Sequence, residues 1–265
     1  MKMPTLFIPH GAGPCFFMPW THGPADMWQT MGDWLRGLAQ TLPMQPAAVL
    51  LVSAHWEATD FMLTASPRPQ LLYDYHGFPE HTYHLTYPVA GAPWLAQRAR
   101  ALLQDVGLCA DLDDHRGLDH GAFIPFKLIY PQADVPMVQL SLRADLEPQV
   151  HLRAGQALAS LREAGVLIVG SGMSFHNMRP SGPDIAGRAQ AFDDALLDML
   201  MQPPALRWNS LANWTDAANA HFAHPREEHL LPLMVACGAA GQDPARRIYA
   251  ERLAGEIMVS AYRFG

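Results

Sequence analysis

A single α/β domain with a mostly parallel central sheet flanked by helices is what the sequence predicts, and three observations carry it. Apolar runs of strand length recur along the 265 residues, notably Thr5–Pro9, Val49–Val52 and Val166–Gly170. Segments with apolar residues at helical spacing alternate with them, the pattern of βαβ units with right-handed crossovers. The runs are continuously apolar, as strands covered on both faces are. No repeat, low-complexity segment or linker divides the chain, so residues 1–265 read as one domain.

In order, Thr5–Pro9 is the first strand and runs into His10-Gly11-Ala12-Gly13-Pro14, whose glycines permit tight turns. Ala25–Leu42 carries Met31, Leu35, Leu38 and Leu42 at helical spacing, with Pro43 beyond its end. A second strand, Ala47–Ser53, delivers His55 at its polar tip, and Phe61–Ala65 is a third. Pro67–Pro93 is too long for a simple connection and too aromatic for disorder. It reads as an ordered flap near a site, with tyrosines that could stack on an aromatic ring. A helix over Ala92–Val106, a short strand Leu108–Leu112 and a loop Asp113–Gly121 with His115 and His120 follow. Then come a helix over Ala122–Tyr130, a strand Val135–Leu140 and a helix Glu147–Ala164 closed by Gly165. The strand Val166–Gly170 leads into a tip that carries His176. Helices are expected over Gly187–Met201, Leu206–Phe222 and Glu227–Cys237, the last bent or ended by Pro232, before a final strand Ile257–Phe264.

In open α/β sheets, ligands bind beyond the carboxyl ends of the strands. His10, His55 and His176 each follow a predicted strand, and parallel strands bring all three to one sheet edge. Histidine ligates metals and moves protons near neutral pH, so the three together point to a shared metal or catalytic site. His120 is a further candidate on its loop. His22, His81, His84, His115, His151 and His221 read as surface or structural residues. The segment His224–His229, HPREEH, is not HExxH, which removes the zinc-protease reading. His229, inside the expected helix start, is preferred to His224, and Glu227 and Glu228 suit a helix N-terminus. Cys15 has no evident partner to lower its pKa and makes a poor nucleophile. The phosphate-binding glycine motifs and the GxSxG elbow are absent from the sequence.

A formal charge of −7 and no basic run argue against nucleic acid or an anionic membrane as partner. The apolar runs are too short to cross a bilayer. The N-terminus lacks a signal-peptide core, and three widely spaced cysteines suit a reducing cytoplasm. Oligomeric state is left open.

Five ordered segments carry a resemblance: PHGAGP at 9–14, LLVSAHWE at 50–57, GLDHGAFIPFKLIYPQADVPMVQLSL at 117–142, GSGMSFHNM at 170–178 and HPREEHLLPLMVACGAA at 224–240. Together they resemble the class III extradiol ring-cleavage dioxygenases, in the branch that includes DOPA 4,5-dioxygenases. The resemblance implies an α/β domain that opens a catecholic ring with both atoms of O2 at a mononuclear non-haem Fe(II). It implies His10, His55 and His229 as metal ligands, and His176 and His120 as acid–base residues, with His176 a possible fourth ligand. Relatives commonly carry His-Gly-Ser-Pro where this chain has His10-Gly11-Ala12-Gly13-Pro14, a change that bears on substrate identity. Three histidines with open positions also describe catalytic Zn(II), so a zinc-dependent hydrolase and a non-catalytic metal-binding protein are the alternatives. Trp56 and Glu57 are left without a role.

Overall fold

A computed structural model of the protein describes residues 2–265. Its strands are β1 (Thr5–Pro9), β2 (Ala48–Ala58), β3 (Phe61–Thr64), β4 (Ala110–Asp113), β5 (Met137–Arg143), β6 (Val166–Gly172), β7 (Ala245–Leu253) and β8 (Ile257–Phe264). They form one sheet in the order β4-β3-β5-β2-β6-β1-β8-β7. The four central strands, β5-β2-β6-β1, are parallel. Towards the edges, β3 is antiparallel to β5, and β8 to both β1 and β7. The sheet is thus mostly parallel, with antiparallel additions on both flanks.

Helices α1 (Gln29–Leu38), α2 (Pro93–Asp105), α3 (His120–Ile129), α4 (Pro148–Leu158), α5 (Ile185–Met201), α6 (Pro204–Ala212), α7 (Ala220–Ala223) and α8 (Leu231–Ala240) cover both faces. Successive side chains of a strand point to opposite faces. On β2, Leu50 and Val52 join the core under α2, α4 and α8, whereas Val49 and Leu51 join the core under α1 and α3. That two-sided burial explains the continuous apolar runs. All ten residues of α8 are buried, so it is apolar all round, not amphipathic. No described helix is long and apolar enough to cross a membrane.

Several expected boundaries move. β2 does not stop at Ser53 but continues to Ala58, with its register against β5 shifted between Val52 and Glu57. His55 therefore sits on an arch within the strand, not beyond its end; such irregularities re-aim side chains. His120 is the first residue of α3 and not a loop residue. The helix expected from Glu227 begins only at Leu231, because Pro232 takes a first-turn position, where its missing N–H costs nothing. His229 consequently lies in the turn before the helix. The helix expected over Leu206–Phe222 breaks at Asn213 and resumes briefly as α7. β7 was not expected at all. Its sequence, ARRIYAERL, spreads charge along an exposed edge strand, which suppresses edge-to-edge pairing and also the apolar signal. The Pro67–Pro93 flap is ordered by its own aromatic cluster: Tyr75 packs against Tyr73, Phe78 and Tyr83.

Candidate metal and active site

Seven histidines line one cavity of about 760 Å³; besides the exposed His22 and His76 they are His10, His55, His120, His176 and His229. Each arrives by a different route. His10 leaves β1, His55 stands on the β2 arch, His120 opens α3, His176 follows β6, and His229 precedes α8. Ring centroids of His55 lie 4.8 Å from His10, 3.9 Å from His120 and 4.8 Å from His229. His176 stacks on His229 at 3.3 Å. All the histidines singled out from the sequence thus meet in one place.

Polar partners hold the rings by one nitrogen. The Ser171 hydroxyl donates to Gly121 O (2.5 Å), so its oxygen accepts from His10 Nδ1–H (3.2 Å). His120 Nδ1–H donates to Asp74 Oδ1 (2.9 Å), as does its backbone N–H (2.9 Å). His229 Nδ1–H donates to Glu228 Oε1 (2.8 Å), and His176 Nδ1 is 3.3 Å from the same oxygen. In His10, His120 and His229 the hydrogen-bonded Nδ1 leaves the Nε2 lone pair free, and the Glu228 contact faces Nδ1 of His176 in the same way. These tautomers follow from the hydrogen-bond network.

The donor set fits a divalent transition metal. His10 Nε2 and His55 Nε2 are 3.0 Å apart. Two nitrogens about 2.1 Å from one ion, at roughly a right angle, are about 3 Å apart. Burial, then the neighbouring histidines, depress His10 and His55 well below the usual imidazole range. Burial also lowers His229, to about 4, against the pull of Glu228. These rings are therefore neutral at pH 7, the form that ligates. His10, His55 and His120 each place a nitrogen within 4.8 Å of the others, and so do His176 and His229 with a carboxylate oxygen of Glu228. The trio His10, His55 and His229 expected from the resemblance is thus divided between two tight groups; the ring of His120 is nearer His55 (3.9 against 4.8 Å), and that of His229 is nearer His10 (5.2 against 5.5 Å).

The supporting residues were not read from the sequence. Buried Asp119 accepts from Ser53 Oγ (2.7 Å) and from the Gln139 amide, and lies 3.4 Å from Arg116. Ser53 Oγ in turn accepts from His55 N–H (3.1 Å), and Arg116 donates to His55 O (3.2 Å). The β2 arch is held by this network. Burial and then Asp74 push the Asp119 carboxyl up, against the hydrogen bonds that favour its ionised form. Gly121 permits the close approach of α3, since a Cβ there would lie 2.6 Å from Ser53 Oγ. Glu57 now has a partner: Arg226 grips it with two bonds of 2.5 and 2.6 Å and reaches Glu228 at 3.3 Å. Burial works against ionised Glu228, but hydrogen bonds from His176 and His229 outweigh it and hold its pKa well below the carboxylate range. Trp56 stacks under Arg116 at 4.9 Å. An acid directly before two of the site histidines (Asp119–His120, Glu228–His229) is the available sequence signal, and at Glu228 it also fits a helix-start preference.

Other residues fall outside the site chemistry. His224 is buried and donates from Nε2 to Ser174 O (3.0 Å). His151 is a structural histidine of α4. Cys15 is buried, and burial pushes its thiol far up, away from nucleophilic use. His22, grouped with surface residues from the sequence, is exposed but stands at the cavity rim.

Comparison with known proteins adds an independent line. A family model described as the catalytic LigB subunit of aromatic ring-opening dioxygenase matches residues 4–264. A 4,5-DOPA dioxygenase extradiol of Beta vulgaris is 39% identical over 83% of this chain and 83% of its own length. The dioxygenase tasH of Hapsidospora irregularis is 33% identical over 98% of this chain and 85% of its own. The crystal structure of an uncharacterized Escherichia coli K12 protein superimposes with a TM-score of 0.77 at 31% identity, covering 100% of both chains.

Proposed function

We infer the reaction from a premise that the match over residues 4–264 establishes: the chain belongs to the LigB catalytic-subunit family of aromatic ring-opening dioxygenases. On our reading it opens the ring of a catecholic diol beside the hydroxyls, inserting both atoms of O2, with Fe(II) as the working metal. Zn(II) suits the same donors but has no redox chemistry to offer dioxygen. The observation that supports this best is the anchoring of four rings through Nδ1, which frees their Nε2 atoms for metal and substrate.

His10, His55 and His229 are our ligand set. When bound, the iron supplies the electron exchange that joins dioxygen to an aromatic ring. His176 takes a proton from a diol hydroxyl at Nε2, and the Glu228 carboxylate at its Nδ1 stabilises the resulting imidazolium. His120 has the same construction with Asp74 and serves the other end of the substrate. A second reading makes His120 the third ligand, favoured by its closeness to His10 and His55. We place the protein in the cytoplasm, where its three free cysteines would stay reduced.

The iron-reconstituted protein should consume O2 with a catechol and form a yellow ring-opened product, and the zinc-loaded protein should not. Turnover without dioxygen, at full rate with zinc, would establish the hydrolase instead. Metal content after His229→Ala and after His120→Ala decides between the ligand sets: the true third ligand is the one whose loss empties the site.

A further inference from the structure

One end of the site cavity is histidine, and most of the remaining wall is apolar. Trp20, Trp28, Phe78, Met173, Leu253 and Val259 face it. They come from separate parts of the chain: the segment before α1, the flap, the exit of β6 and the strands β7 and β8. Among the described residues, no lysine or arginine lines the cavity. Of its polar side-chain groups other than histidine, Trp28 Nε1 is buried without a partner among the described residues, and Trp20 Nε1, Tyr75 OH, Asp74 and Asn177 are engaged. Asp74 Oδ1 accepts from His120, and Oδ2 lies 3.9 Å from His55. Asn177 donates to Phe222 O (2.8 Å) and accepts from the Arg179 backbone N–H (3.0 Å). Arg179 is the cation nearest along the chain, between the lining residues Met178 and Pro180, but it is itself exposed and outside the lining.

A carboxylate loses its hydration on entering such a wall and finds no lysine or arginine among the described lining residues to replace it. Sites that select carboxylates present a guanidinium fork or an ammonium. The volume is within the range of pockets that hold drug-sized ligands, roughly 300–1,000 Å³, so it accommodates more than a bare ring.

We propose that the diol taken by this site carries an uncharged, largely apolar ring substituent, which lies along the Trp20–Trp28–Val259 wall while the hydroxyls meet the histidines. This rests on the ring-opening reading and narrows it. It separates the chain from relatives named for DOPA, whose side chain is charged.

The test uses the iron-reconstituted full chain and three catechols: 4-butylcatechol, 3-(3,4-dihydroxyphenyl)propanamide and the matching propanoic acid. The amide and the acid have nearly the same shape and differ in charge. Oxygen uptake gives kcat/KM, and anaerobic titration of the metal's absorbance gives Kd. The butyl compound and the amide should exceed the acid, the acid falling about tenfold or more below the amide for want of a partner. An acid that equals or beats the amide overturns the proposal. If no catechol consumes oxygen while the anaerobic Kd values keep the expected order, ring opening fails and the charge preference stands. Met27→Arg adds a cation to the half-buried wall and should narrow the acid–amide gap. Arg179→Ala should leave the gap unchanged; a selective loss of the acid's turnover would identify Arg179 as its counter-ion and overturn the uncharged wall.

Discussion

The two halves of the site are built differently. His10 and His55 are fixed from beneath by buried contacts, Ser171 under His10 and Asp119, Ser53 and Gln139 under the β2 arch, with His120 beside them held by half-buried Asp74 of the flap. His176 and His229 are fixed from the side, by one shared carboxylate, Glu228. That carboxylate is steadied by Arg226, which is half exposed, and through it by Glu57. Buried networks are strong when complete and costly when broken. Solvated ion pairs contribute little to stability yet can still orient a side chain. The first half should therefore fail by unfolding, and the second by loosening.

Asp119→Ala should break the first half most severely. It leaves Ser53 and the Gln139 amide without their acceptor and Arg116 with only His55 O, a loss of about 3 kcal/mol or more. Urea unfolding should show that loss, and metal retention should fall with it. Stability within about 0.5 kcal/mol of wild type would remove Asp119 as the support of the arch.

Gly172→Ala tests where the halves meet. A Cβ at Gly172 would lie 2.1 Å from the carbonyl oxygen of His229, which also accepts from Met173 N–H at 3.0 Å. The turn carrying His229 rests directly on β6 because that Cβ is missing. The substitution should cost about 1–3 kcal/mol and displace His229, seen as weakened metal binding with His10 and His55 intact.

His151 separates the pH response of the fold from that of the site. It donates from Nδ1 to Glu147 O (2.8 Å) and accepts Arg143 N–H at Nε2 (3.1 Å), and burial lowers it from the usual 6.5 to about 4. Between pH 6.5 and 4 the unfolded chain binds this proton and the folded chain does not. Stability from His151 is therefore complete above 6.5 and lost as pH falls, about 2 kcal/mol by pH 5. His151→Gln should flatten that part of the urea-midpoint profile; an unchanged slope would contradict the assignment.

Arg226→Ala should have the smallest effect on the fold, under about 1 kcal/mol, because the residue is half exposed. Metal affinity should nevertheless drop by roughly tenfold, as when an outer hydrogen-bond partner is removed. Arg226→Lys should restore part of it. A chelator competition curve that matches wild type would show that the clamp does not orient the second half.

The difference between the halves also explains what was legible in the sequence. His10 and His55 follow apolar runs that are buried on both faces, and such runs are local signals. His176 is visible for the same reason, four residues past β6. Asp119 and Ser53 are 66 positions apart, and Glu57 and Arg226 are 169 apart. No local pattern reports a partner at that separation. β7 was missed because an edge strand spends its exposed face on charge.

The sequence by itself determined an α/β chain with histidines at one end of its strands, and its ordered motifs identified the family. Those properties depend on short-range patterning, which survives without knowledge of the partner strands. Only the tertiary structure decided which nitrogen of the anchored rings is free, that His229 stands in a turn held against Gly172, and that no lysine or arginine among the described residues lines the apolar wall. Each of these depends on atoms brought within a few ångströms from distant positions, where hydrogen bonding, close approach and charge act.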